Sequence, residues 1–222
     1  MRSSFHPINL VETFVFAMLL MFSVGAQGKT LASLPPVENC DGDASFTQFR
    51  ERLKAVVAAK DREAFIAMLA PDVLVDFGGG SGREAFTEQW TFDASEYGNV
   101  WDQLGTMLSL GCEQEEGARI IPSLIIQVGA YPEEAVTDVV LILPGAKLYR
   151  EIGVESPNPR TTPWSVATVI SRAADWGTGV RLPDGREGNI PDDRVYEPAG
   201  YRMIIEQDNA GKWMITAFIA GD

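Results

Sequence analysis

The sequence predicts an α+β fold in which helices come first and a mostly antiparallel sheet follows. Phe46, Phe49, Leu53, Val56 and Val57 recur at three- and four-residue spacing, the period of one helix face. From Ala135 onward the chain reads as short β-forming runs: AVTDVVLIL, SVATVI, TGVRL, REGNI, YRMIIEQ and KWMITAFIA. Between them stands turn chemistry, Pro183-Asp184-Gly185 and Asp208-Asn209-Ala210-Gly211, which supplies a fixed φ, local side-chain hydrogen bonds and positive φ. No internal repeat is visible.

Taken in order, the chain opens with Arg2, a mostly apolar stretch from Thr13 to Val24, and small residues at Val24-Gly25-Ala26. This is the layout of a secretory signal peptide, here residues 1–26, cleaved after Ala26. The stretch is short for a bilayer span, which takes about 20 residues, so the protein is expected to be periplasmic or secreted, with no membrane span after signal removal, a retained anchor helix being the alternative. Cleavage removes Arg2 and Glu12 together, so the net charge of -13 stays with the mature chain. An acidic surface disfavours nucleic acid and anionic lipid. The only histidine, His6, lies in the same segment, which excludes Ser-His-Asp triads, Cys-His dyads and histidine metal sites from the mature protein.

Residues 27–44 read as a linker, with two prolines and the polar cluster around Cys40. Cys40 and Cys112 are an even pair in an oxidising compartment and are expected to form a disulfide, two free thiols being the alternative. After the first helix, Asp61 reads as the cap of a second, with Pro71 ending it. Val73 to Phe77 has strand composition, and Gly78 to Gly82 makes a turn into a short helix, Arg83 to Trp90. The glycine run is not a phosphate loop, because no Gly-Lys-Ser/Thr opens the helix. Tyr97 to Leu110 carries Val100, Trp101, Leu104, Met107 and Leu108 at helical spacing, with Gly111 at its end. Glu113, Glu115 and Glu116 read as a solvated face rather than a metal site, and Asp41 and Asp43 lack the rest of a calcium loop. No metal and no cofactor are expected.

The stretch Ala58 to Phe86 (AAKDREAFIAMLAPDVLVDFGGGSGREAF) and the closing Gly211-Lys212-Trp213-Met214-Ile215-Thr216 resemble the cone-shaped α+β superfamily that includes ketosteroid isomerase and the SnoaL-like cyclases. That resemblance implies a curved sheet wrapped on helices over residues 45–143 with 200–222. Between those pieces, Trp176, Val180-Arg181, Asp184-Gly185-Arg186-Glu187-Gly188 and Ile190 are similar to a bacterial Src-homology-3-like domain, a small all-β barrel over residues 144–199. The sequence departs at Asn189, where that family places Trp or Tyr lining its ligand groove. The barrel would then be inserted before the last two strands, which loop entropy tolerates. The rival arrangement is two sequential domains.

The resemblance to ketosteroid isomerase implies one catalytic candidate, Asp76, at the strand end before the glycine turn. Between Val75 and Phe77 its carboxylate is expected to face an apolar pocket that would raise its basicity, although no oxyanion partner is matched. On the barrel, Trp164 and Trp176 are candidates for an aromatic shelf, with Arg181 beside them, while Trp90, Trp101 and Trp213 read as core. Two functions are weighed. The first is a non-catalytic envelope protein binding peptidoglycan, through its cell-wall peptide, or an envelope protein partner at the barrel. The second is a small-molecule binder or isomerase-type enzyme using Asp76.

Overall fold

The computed structural model describes residues 31–96, 98–172 and 176–221. The signal-peptide reading therefore lies outside the described residues, as do residues 27–30 of the expected linker and Tyr97.

Helix α1 (Ala44–Ala59) starts where Asp43 accepts hydrogen bonds from the Ser45 and Phe46 backbone N–H groups at 2.9 and 3.1 Å. This satisfies donors that the first turn leaves without partners. It buries Phe46, Phe49, Leu53 and Val57, four of the five apolar positions that predicted it. Helix α2 (Arg62–Met68) is capped by Asp61, which accepts from Ala64 N–H at 3.0 Å. The next element departs from expectation. Leu69 is already extended, and strand β1 runs over Leu69–Leu74 with Pro71 inside it, rather than from Val73 to Phe77. Proline is tolerated there because β1 is an edge strand.

Helices α3 (Gly82–Gln89) and α4 (Val100–Leu108) follow. The hairpin β2 (Glu113–Glu115) and β3 (Ala118–Ile121) was not legible as strands. Its turn is Glu116-Gly117, both with positive φ (47° and 94°), the geometry that matches the twist of a two-residue hairpin. Short helices α5 (Leu124–Val128) and α6 (Glu133–Val136) lead to β4 (Val139–Ile142). Then come β5 (Lys147–Glu151), β6 (Val154–Arg160), β7 (Val166–Arg172), β8 (Gly177–Arg181) and β9 (Glu187–Pro191). A 3-10 turn (Asp192–Arg194), β10 (Val195–Tyr196), β11 (Arg202–Gln207) and β12 (Trp213–Ile219) complete the order.

These strands form two sheets. The first has the order β1-β12-β11-β3-β2, antiparallel except for the parallel pair of β1 with β12. The second has the order β10-β4-β7-β8-β9-β5-β6 and is antiparallel throughout. The last hairpin, β11–β12, pairs within the first sheet. Strand β4 (Val139–Ile142), expected to belong with residues 45–143 of the cone-shaped part, pairs within the second. The main core joins α1, α2, α3 and α4 to the first sheet, and a smaller cluster of Val140, Ile142, Leu148, Val180 and Ile190 lies on the second.

Residues 31–43, expected to be part of a linker, instead form a strap across both sheets. Ala32 C=O accepts from Val166 N–H at 3.1 Å, and Leu34 N–H donates to Trp164 C=O at 2.9 Å. Further on, Val37 C=O accepts from Cys112 N–H and Asn39 N–H donates to Cys112 C=O, both at 2.8 Å. Leu31 and Leu34 are buried in the main core. Glu38 makes a bidentate pair with the mostly buried Arg50 at 2.5 and 2.7 Å, and the disulfide Cys40–Cys112 closes the strap. Gly111 makes this approach possible. Its φ is +78°, and a Cβ there would stand 2.3 Å from Val37 O and 2.9 Å from Ser123 Oγ. Gly111→Ala is therefore expected to cost about 2 kcal/mol from left-handed backbone and overpacking. Gly105→Ala, inside α4 with open space around it, should instead stabilise by about 0.5–1 kcal/mol. Paired urea melts check both signs.

Candidate functional site

The expected site residues do not converge. Asp76 lies beyond the end of β1 and is exposed, not enclosed by an apolar pocket. Its Oδ1 accepts from Gly80 N–H at 3.0 Å, while Val75 N–H donates to Gly80 C=O at 3.0 Å, so the carboxylate pins the glycine turn. Gly80 is required there, because a Cβ would sit 2.2 Å from Asp76 Oδ2. Its neighbour Phe77 is 56% exposed, with the Arg202 guanidinium 5.9 Å from its ring centre. Strand β1 ends at Leu74, two residues before Asp76, so the carboxylate falls at the start of the glycine turn and bonds to its backbone instead of facing the core.

The aromatic shelf is also corrected. Strands β7 and β8 pair Thr168 with Arg181 at one end and Arg172 with Thr178 at the other. Trp164 and Arg181 therefore sit at one end of the pair and Trp176 at the opposite end. Trp164 has left-handed backbone (φ 63°) and packs on the main core beneath the strap. Arg181 is engaged by Glu187 at 2.7 Å. Trp176 is half-buried and meets Tyr149 edge to face, with ring centres 5.4 Å apart.

Behind these surfaces, the helix-facing side of the first sheet is filled by rings. Phe65 lies 5.7 Å from Phe86 and 6.0 Å from Trp101, and Phe218 lies 5.4 Å from Phe86. Phe65, Phe86 and Phe218 are fully buried. Trp90 and Tyr201 close the stack at its outer end, 4.8 Å apart and each only half-buried.

A groove that sequence reasoning missed opens at that outer end, between α4 and the edge of the second sheet. One cavity of about 300 Å³ is lined by Gln103, Arg172, Thr178, Tyr196 and Tyr201 among others. A second of about 320 Å³ shares Gln103, Asp192, Val195 and Tyr196 with it. A third of about 510 Å³ lies between Thr87, Gln89, Trp90 and Tyr201 and joins the first at Tyr201. The walls are held by local bonds. Asn99 Oδ1 caps α4 at the Trp101 and Asp102 N–H groups, each 3.1 Å away. Thr178 Oγ1 donates to Asp192 Oδ1 at 2.8 Å, and Arg172 pairs with Glu197 at 2.6 Å. The buried Tyr196 hydroxyl donates to Tyr201 C=O. Burial pushes that phenol well above the usual tyrosine range, opposed in part by its hydrogen bond with Gln103. Tyr196 thus stays neutral and ties α4 to the second sheet.

Among the described residues no cluster of His, Cys, Asp and Glu is placed to hold a metal, and no helix is long and apolar enough to cross a membrane. No known protein family matches the chain, and no curated protein does. Three solved structures are similar in part. A designed protein named Rd1NTF2_05, in a variant form, is 11% identical, with 79% of this chain and 96% of that one covered at a TM-score of 0.27. A Xanthomonas campestris protein named as a candidate calcium/calmodulin dependent protein kinase II association domain is 10% identical, covering 84% and 93%, at 0.29. A Nostoc punctiforme protein of unknown function with a cystatin-like fold is 10% identical, covering 80% and 87%, at 0.25. At these TM-scores the similarities assign neither a family nor an activity.

Proposed function

We propose that this chain is an exported, non-catalytic cell-envelope protein that binds a cell-wall peptide or a protein partner through its second sheet, read as a Src-homology-3-like barrel inserted in a cone-shaped α+β domain. The observation that carries the reading is the half-exposed Trp176–Tyr149 pair. Asn189, at the position where that family supplies an aromatic ring, lies directly across from Tyr149. The ring comes from the neighbouring strand instead, so an aromatic surface for a peptide survives the substitution. Export accords with the signal-like first 26 residues and with the Cys40–Cys112 bridge, since disulfides persist in oxidising compartments.

The test is co-sedimentation of the protein with purified peptidoglycan and with envelope extract, followed by the same assay on two variants. Trp176→Ala is expected to weaken retention about ten-fold, as loss of an aromatic anchor does, and Asp76→Asn to leave it unchanged. Thermal melts separate lost binding from lost fold. If a folded Trp176→Ala variant is retained normally while Asp76→Asn abolishes turnover of a small substrate, the enzyme reading replaces this one.

A further inference from the structure

Asp-Gly occurs twice in the sequence, at Asp41-Gly42 and Asp184-Gly185. In this dipeptide the glycine has no side chain to keep its backbone nitrogen from swinging onto the aspartate carboxyl carbon. The two copies stand in opposite surroundings. Asp184 Oδ1 accepts from Arg186 N–H at 3.1 Å, and its Oδ2 accepts from the Arg186 guanidinium at 2.6 and 2.8 Å. Gly185 N–H meanwhile donates to Leu182 C=O at 2.9 Å, so carboxyl and nitrogen are turned to different partners. The Arg186 side chain also holds the Asp184 carboxyl below the usual aspartate range, and an ionised carboxylate is a poor target for a nitrogen. Asp41-Gly42 has neither restraint. Both residues are exposed, in the turn that carries the strap into α1. Among the described residues no backbone hydrogen bond engages Gly42 N–H, and Asp41 acts on the Arg50 guanidinium through space without an ion pair. Gly42 has φ +106°, and nothing lies within 4 Å of where its Cβ would stand, so the turn has room to rearrange.

We propose that Asp41 is a self-modification site, converting to isoaspartate in the folded protein, and that this mark loosens the junction between the strap and α1. The Gly42 nitrogen attacks Asp41 Cγ. An N–C bond forms, and the N–H proton leaves with the carboxyl OH as water. The cyclic imide that results takes up one water at either of its carbonyls. Opening at the main-chain carbonyl routes the backbone through Cβ and Cγ of Asp41 and frees an α-carboxylate, while opening at the other restores aspartate. Mass is unchanged, and water is the only co-reactant. The position gives the mark its effect. On one side Cys40 is buried and bridged to Cys112. On the other, Asp43 caps α1 at the Ser45 and Phe46 N–H groups and stands 3.7 Å from Arg119. An extra backbone atom between two fixed points displaces Asp43, so the cap and the Arg119 contact loosen together. The site is separate from the Trp176–Tyr149 pair, so the two readings stand or fall independently.

The test is to age the purified full chain, its bridge intact, for several weeks at physiological temperature, beside a second sample held unfolded in guanidinium. After reduction and alkylation, peptide mapping with electron-transfer fragmentation tells isoaspartate from aspartate at each site. In the unfolded sample both Asp-Gly pairs should convert at similar rates, because local sequence alone then decides. In the folded sample Asp41 should convert at least about ten-fold faster than Asp184, the factor that one retained hydrogen bond brings. Asp41→Glu keeps the charge but would have to close a larger, slower-forming ring, so it should age without isomerising at that position. The comparison of folded with unfolded parent needs no variant and stays decisive if Asp41→Glu folds poorly. The converted fraction, separated by ion exchange, should melt about 2–4 °C lower, the shift that losing one helix cap brings to a chain of this length. Aged Asp41→Glu should melt as it did when fresh. The proposal is overturned if Asp41 stays aspartate in the folded chain while it converts in the unfolded one, or if Asp41 and Asp184 convert equally in the folded chain. A converted fraction that melts with the parent overturns the loosened junction.

Discussion

Replacing Cys40 and Cys112 together by Ala is expected to lower the unfolding free energy by about 4 kcal/mol, the chain-entropy value for a long closed loop. The bridge spans 72 residues of sequence, and both sulfurs are buried, so Ala avoids leaving a buried hydroxyl. The bridge also secures the strap at the end farther from the second sheet. Without it, that end keeps the backbone bonds of Val37 and Asn39 to Cys112 and the Glu38–Arg50 pair. Urea unfolding should show the double variant insensitive to reductant and the parent falling to the same midpoint when reduced. Limited proteolysis of the variant should cut first within residues 31–39. Equal midpoints for reduced and oxidised parent would show that the strap holds without its bridge.

Phe86→Ala is expected to cost about 3–5 kcal/mol, the range for truncating a buried ring. Phe86 is fully buried and stands at the centre of the ring cluster, within 5.4 to 6.4 Å of Phe218, Phe65, Phe92 and Trp90. Few of those neighbours can collapse into the vacated volume, since each is braced by another ring. Phe86→Leu should cost less, because it leaves a smaller void. The urea midpoint measures both, with an unchanged slope as the sign of an intact fold. The Ala variant should also gain affinity for benzene-sized apolar solutes, as a dry engineered cavity does. A loss under about 1 kcal/mol would mean that the cluster repacks freely.

These rings explain which part of the sequence was informative. Periodicity located α1, and turn chemistry located β7, β8, β9, β11 and β12, because those signals are local. The β2–β3 hairpin escaped because three consecutive polar residues, Glu113 to Glu115, read as a charge run. Their pairing partners Ile120 and Arg119 carry the only strand-like signal, and it is short. Strand β1 was placed late because Pro71 was read as a helix stop, whereas edge position removes the penalty. The disulfide was legible from count and compartment. The groove was not, since Gln103, Tyr196 and Tyr201 meet only once β10 is laid beside α4. For the same reason Trp164 read as a surface ring, although the strap above it turns it into the core.

The placement of β12 has a kinetic consequence. It lies between β1 and β11, and Leu69 pairs with Ile215, so the first sheet draws its inner strand from the far end of the described chain. The second sheet takes all its strands from one continuous stretch, residues 139–196. Pairings distant in sequence are slow to form because loop closure precedes any gain from contact. The second sheet is thus free to assemble as the chain emerges, while the helices α1 to α4 keep an apolar face uncovered until β12 arrives.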